Sequence, residues 1–144
     1  MSTESIGSVL KKKGHEIHSV APGATVYDAI SLMAAKSVAA VLVISEETLV
    51  GIISARDYAR KVILKEKSAR DVTVKETMTT SLVTVTPETT VLDAMALMTR
   101  HHIRHLPVLR DEKLEGVVSM GDLVSEVISG QAFTIEQLQK YIST

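Results

Sequence analysis

The chain has 144 residues, 45% hydrophobic but only 3% aromatic, with a net charge of −1 and no cysteine. That length fits one domain or a tight pair of half-domains around an aliphatic core. The charge balance excludes a global field for nucleic acid or anionic membrane, the lack of cysteine excludes disulfides, thiolate zinc sites and cysteine nucleophiles, and the few aromatics weaken a stacking model for single strands.

Residues 1–13 read as a short helix ending in Lys11-Lys12-Lys13 and stopped by Gly14. The lysines read as a solvated helix end rather than a nucleic-acid contact. The segment carries no apolar signal core, and the longest apolar run, residues 38–44, is far below a membrane span. A cytoplasmic location is the expectation.

Ile17 to Val20 is extended and Pro22 forces a turn. Thr25 starts a helix with Val26, Ala29, Ile30 and Met33 on one face, and Thr25 with Asp28 reads as its N-terminal cap. Val41–Ile44 and Leu49–Ile53 are strands joined by a polar link of hairpin length. Ser54 opens a helix running to about Leu64. Residues 65–80 are charged and polar, with a short helical turn around Val74–Met78. The plan then recurs: Val83–Val85 extended, a helix from Val91 to about His101, strands at Leu106–Leu109 and Leu114–Val118, and a helix opened by Ser119. The tail places Ile135, Leu138 and Ile142 at helical spacing for packing on the body or on a partner chain.

The recurrence is an internal repeat. Residues 20–58 align with 85–123 at a constant offset of 65 without a gap, and 14 of the 39 positions are identical. One supersecondary unit, β-α-β-β-α, is used twice. Each copy closes on the same signature, Gly51-Ile52-Ile53-Ser54-Ala55-Arg56-Asp57 and Gly116-Val117-Val118-Ser119-Met120-Gly121-Asp122. A carboxylate in the first turn of a helix is favoured and ionised, and it can accept both hydroxyls of a ribose. The helix start beside it exposes unpaired N–H groups suited to an anion. The same Ser-x-x-Asp segments also read simply as helix caps, and the two roles can coexist.

The doubled signature inside a whole repeat resembles tandem cystathionine β-synthase (CBS) domains, the Bateman module, and in particular its small single-pair proteins. The resemblance implies an α+β fold of two β-α-β-β-α motifs packed about a pseudo-two-fold axis. The corresponding division is a helix at 1–14, a first motif at 15–66, a linker at 67–80, a second motif at 81–130 and a helix at 131–144. It also implies adenosine-containing ligands, namely AMP, ADP, ATP, S-adenosylmethionine or NAD(H). Each site is expected to combine the signature of one motif with the early strands of the other. One would pair Ser54, Arg56 and Asp57 with Thr80, Val83, Ile103, Arg104 and His105. The other would pair Ser119 and Asp122 with His15, Ile17, His18, Val38 and Ala39.

The arginines and a protonated His105 mark the first site as the phosphate seat. In the second, Ala39, Ala40 and Gly121 stand where the first has Arg104, His105 and Arg56, so it is expected to lack fixed charge. His101, His102 and His105 suggest a metal, but the helix is expected to end near His102 and splay them. No triad, Walker loop or dinucleotide glycine fingerprint supports an enzyme. The expectation is a homodimeric, non-catalytic energy or redox sensor acting on an unknown protein in trans, without nucleic acid or membrane partners. The alternative is a ligand-independent interaction scaffold.

Overall fold

The computed structural model describes residues 4–143. In chain order its elements are α1 (Ile6–Lys13), β1 (Ser19–Val20), α2 (Val26–Lys36), β2 (Ala40–Ser45), β3 (Thr48–Ser54), α3 (Ala55–Tyr58), α4 (Val74–Thr77), α5 (Val91–His101), β4 (His105–Arg110), β5 (Lys113–Ser119) and α6 (Met120–Ser143). They form two compact units. Residues 16–82 make one, and the chain up to His15 joins the chain from Val83 onward to make the other. Each has the expected mixed α+β plan. No helix among the described residues is long and apolar enough to cross a membrane.

In residues 16–82, β1 lies parallel to β2 and β2 runs antiparallel to β3. Val26, Ala29 and Met33 give α2 one apolar stripe, fully or almost fully buried in the core. Its start is closed reciprocally, Asp28 N–H donating to Thr25 Oγ1 at 3.1 Å and Thr25 N–H to Asp28 Oδ2 at 3.4 Å. The β2–β3 turn holds Glu46 and Glu47 at positive φ, 49° and 66°, which suits the twist of a two-residue hairpin. The helix expected from Ser54 to Leu64 is α-helical only to Tyr58. It then widens into a π-turn at Ala59–Ile63, which buries Val62. The segment expected as a linker is part of the core, with Val72 and Val74 packed among Val26, Val41, Val43 and Ile53.

The second unit repeats this plan with β4 antiparallel to β5 and Val85 bridging Val108 in parallel. Its core of Val91, Ala94, Met98, Leu106, Val108, Val118 and Leu123 is completed by Ile6, Val9 and Leu10 of α1. The backbone joins as well. Ile6 N–H donates to Thr89 O at 2.8 Å, Gly7 N–H to Pro87 O at 2.9 Å, and Val91 N–H to Glu4 O at 2.9 Å. In the other unit the same three bonds run from Val74 to Ala24 (2.8 Å), Lys75 to Pro22 (2.9 Å) and Val26 to Val72 (2.9 Å). Each motif is therefore completed by the segment that precedes the other motif in the chain. The tail expected as a separate helix instead continues α6 to Ser143. The packing expected for Ile135, Leu138 and Ile142 concerns side chains outside the described residues.

Candidate functional site

Both signatures close in the same way. β3 and β5 each run straight into a helix, so the last strand residue becomes the N-cap. Asp57 N–H donates to Ser54 Oγ at 3.1 Å and Ser54 N–H to Asp57 Oδ2 at 3.0 Å. The pairs recur as Asp122 N–H to Ser119 Oγ at 3.1 Å and Ser119 N–H to Asp122 Oδ2 at 2.8 Å. The cap role is thus present at both carboxylates, and what distinguishes them is their remaining partners.

Asp57 is saturated. Ser54 Oγ also donates to Oδ2 at 3.1 Å, Thr79 Oγ1 donates to Oδ1 at 3.2 Å, and the Lys61 ammonium lies 3.3 Å from Oδ1. Thr79 is delivered by an antiparallel bridge to Ile52. The threonine expected here was Thr80, which is exposed, and its neighbour Thr79 makes the contact. Arg56 is exposed on the first turn of the same helix.

Asp122 takes a different partner. Lys13 Nζ donates to its Oδ2 at 2.6 Å and to Val117 O at 2.7 Å. Beside it Lys12 Nζ meets Glu126 Oε1 at 2.7 Å, and His15 Nδ1–H donates to Glu115 O at 3.0 Å. Two expectations are corrected here. The lysine run is not simply solvated, because α1 lies on this unit and brings Lys12 and Lys13 onto α6. Nor does the Asp122 seat lack fixed charge. Burial pushes the Asp122 carboxyl up, but the Lys13 ammonium and the Ser119 N–H outweigh it and hold it below the ordinary value, so it is ionised at neutral pH.

The other expected site residues group by motif. Ala55 N–H donates to Ala39 O at 2.9 Å, and Met120 N–H to Arg104 O at 2.8 Å. His105 pairs with Ser119 across β4 and β5. Strand pairing fixes this, because the residues leading into β4 must lie at the start of α6. Arg104 and His105 therefore accompany Asp122 in their own unit, and Ala39 accompanies Ser54 and Asp57. Val38 and Ile103 occupy matching places after their helices, each N–H donating at 3.0 Å to a methionine carbonyl, Met33 or Met98. Ile17 and His18 are half-buried before β1, where His18 O accepts from Leu42 N–H at 3.0 Å, and Val83 packs on the core of the second unit. α5 ends at His101, as expected, with His102 in the left-handed conformation, φ 55°.

His105 does not carry the charge expected of it. Burial pushes its pKa below the ordinary imidazole value, the Lys13 and Arg104 charges push the same way, and Asp122 opposes them. The folded protein binds this proton less readily than the unfolded chain. Stability from neutral His105 is complete above the unfolded value of 6.5 and is lost as pH falls through the lower folded value. Thermal midpoints measured from pH 7.5 down to 5.5 should fall for the wild type and fall less steeply for His105→Gln. Parallel slopes would refute this account.

The chain is thus a tandem pair of α+β motifs, each ending in a helix start whose serine and aspartate cap one another. It belongs to the CBS domain family, which matches over residues 6–64 and 69–129. It is 43% identical over 123 residues to the CBS domain-containing protein CBSX3, mitochondrial, of Arabidopsis thaliana, covering 82% of this chain and 60% of that protein's length. It is 32% identical over 117 residues to CBS domain-containing protein YhcV of Bacillus subtilis, covering 81% and 83%. A solved structure of a protein with CBS domains from Burkholderia ambifaria shares 45% identity at a TM-score of 0.85, covering 88% of this chain and 96% of that one. The CBS domain pair of MJ0100, solved with 5′-methylthioadenosine and S-adenosyl-L-methionine, is similar in fold at a TM-score of 0.78 and 21% identity, covering 90% and 99%.

Proposed function

We propose that this protein is a non-catalytic regulatory module that binds an adenosine-containing ligand, AMP, ADP, ATP or NAD(H), and passes its occupancy to a partner protein. The observation that carries the reading is the ionised Asp122 at a helix start, with Oδ2 engaged and Oδ1 accepting no hydrogen bond among the described residues. Such an oxygen can accept a ribose hydroxyl without breaking the cap. Membership of the CBS family supports regulatory ligand binding in general. Occupancy alters a partner only if the ligand binds two states of the module unequally.

A dimeric scaffold is the second reading, and a specific observation favours it. Both oxygens of Asp57 are consumed by internal partners, so that carboxylate already has a complete structural role. Exposed apolar side chains in both units, among them Ile63 and Leu64 at the end of the π-turn and Val124 and Ile128 on α6, suit a homodimer under either reading. Thermal unfolding with each of AMP, ADP, ATP, NAD, NADH and S-adenosylmethionine separates the two. A ligand at about 100 times its Kd should stabilise the fold by about 2.7 kcal/mol. Asp122→Ala should abolish most of that gain, and Asp57→Ala should reduce it less. A flat response to every ligand would support the scaffold.

A further inference from the structure

We infer that Lys13 is a ligand-contacting, specificity-determining residue of the Asp122 seat, and that it selects an adenosine derivative carrying a phosphate on its ribose over the bare nucleoside. The inference rests on the nucleotide-binding reading above and assigns its phosphate to the seat that the sequence alone marks as uncharged.

An ammonium has three N–H donors. Lys13 commits two of them, to Asp122 Oδ2 at 2.6 Å and to Val117 O at 2.7 Å. These bonds hold Nζ still, and half the side chain's surface or more is covered, its relative exposure being 37%. One N–H donor is left over, on an ammonium that the ion pair with Asp122 holds in place. The two oxygens of a carboxylate share one carbon, so a hydroxyl seated on the open Oδ1 lies next to the ammonium. An anionic group on the same sugar then gains a charge-assisted bond, whereas a neutral nucleoside gains none.

The neighbours add to this field. Arg104, exposed beside His105, supplies a further positive charge, whereas His105 is kept neutral by burial and by the nearby cations and adds none. The Asp57 seat offers no equivalent. Its lysine, Lys61, spends a donor on Thr77 O at 3.0 Å and approaches an oxygen, Oδ1, that Thr79 already occupies.

Lys13 also sits at the end of α1, whose docking depends on Ile6, Val9 and Leu10 rather than on charge. Lys12 reaches α6 through Glu126 and does not touch Asp122. It therefore serves as the control for loss of an α1–α6 ion pair alone.

The test is titration calorimetry of the full chain with AMP and with adenosine. The wild type should prefer AMP. Lys13→Met should lower that preference about tenfold, the size of one lost bond to a charged group. Lys13→Arg should retain most of the preference, and Lys12→Met should retain all of it. An unchanged ratio in Lys13→Met overturns the inference. So does tighter binding of both compounds, since Lys13 would then be a competitor for Asp122 and not a contact. If neither compound binds the wild type, the inference is overturned, while the nucleotide reading is decided separately by the thermal series with ADP, ATP and NAD(H). Circular dichroism of each variant shows whether the fold survives. Should Lys13→Met not fold, Lys13→Gln read against Lys13→Arg decides by the same ratio.

Discussion

Leu10→Ala should destabilise the protein by about 2–5 kcal/mol, as much as a deletion in the middle of a core strand. Leu10 has 0% relative exposure and lies with Ile6 and Val9 among Leu106, Val108, Val118 and Leu123. A helix near the start of a chain ordinarily frays, and truncating a side chain on it costs little. Here the helix is a structural wall of the second motif, fastened by three backbone hydrogen bonds to residues 87–91 and capped by Ser5, whose Oγ accepts from Ser8 N–H at 3.2 Å. Urea denaturation of Leu10→Ala should show a lower midpoint with an unchanged slope. A loss below about 0.5 kcal/mol, the usual range for a surface site, would mean that α1 is an appendage.

The internal repeat made most of this fold legible. Its ungapped offset of 65 places the two hairpins, the two long helices and both Ser-x-x-Asp caps in register. The capping box at Thr25 and Asp28 and the end of α5 near His102 follow from local chemistry, and they stand as expected. The segments that complete each motif were not legible. Residues 4–7 correspond in their bonding to residues 72–75, an offset of 72 − 4 = 68 rather than 65. Glu4-Ser5-Ile6-Gly7 and Val72-Thr73-Val74-Lys75 share no residue at matching positions. What they share is a hydroxyl cap and one buried aliphatic, Ile6 or Val74, too little pattern to stand out.

The candidate site was legible to the same depth. Ser54, Asp57, Ser119 and Asp122 were visible because identity within the repeat marks them. Their distinguishing partners were not, since Lys13 and Asp122 lie 109 residues apart and a terminal lysine run gives no local sign of a distant carboxylate. The immediate surroundings of Arg104 and His105 were hidden for a related reason. Sequence shows that they open a strand, and only the register of β4 against β5 shows which helix start they face.

The glycine of each signature yields the second large effect, and it concerns packing rather than ligand access. A Cβ at Gly51 would lie 2.7 Å from Met78 Sδ and 3.0 Å from the Thr79 carbonyl oxygen. The sulfur can swing away, but the carbonyl is held by Ile52 N–H at 3.0 Å, with Thr79 N–H returning to Ile52 O at 2.8 Å. Gly51→Val must therefore push on that bridge, and Thr79 carries its hydroxyl to Asp57. The expected cost is about 3 kcal/mol, the upper part of the range for overpacking. At Gly116 the obstacle is a side chain, Leu10 Cδ2 at 3.0 Å, with no backbone atom among its nearest neighbours. Gly116→Ala should therefore be milder, and shortening its neighbour should relieve it. In a double-mutant cycle, Leu10→Val should cost at least 0.5 kcal/mol less in the Gly116→Ala background than in the wild type, about the least coupling that contacting residues show. No analogous relief should follow from Met78→Ala in the Gly51→Val background, because the Thr79 carbonyl would still stand in the way. Additive costs at Leu10 and Gly116 would show that α1 does not press on β5 at this point.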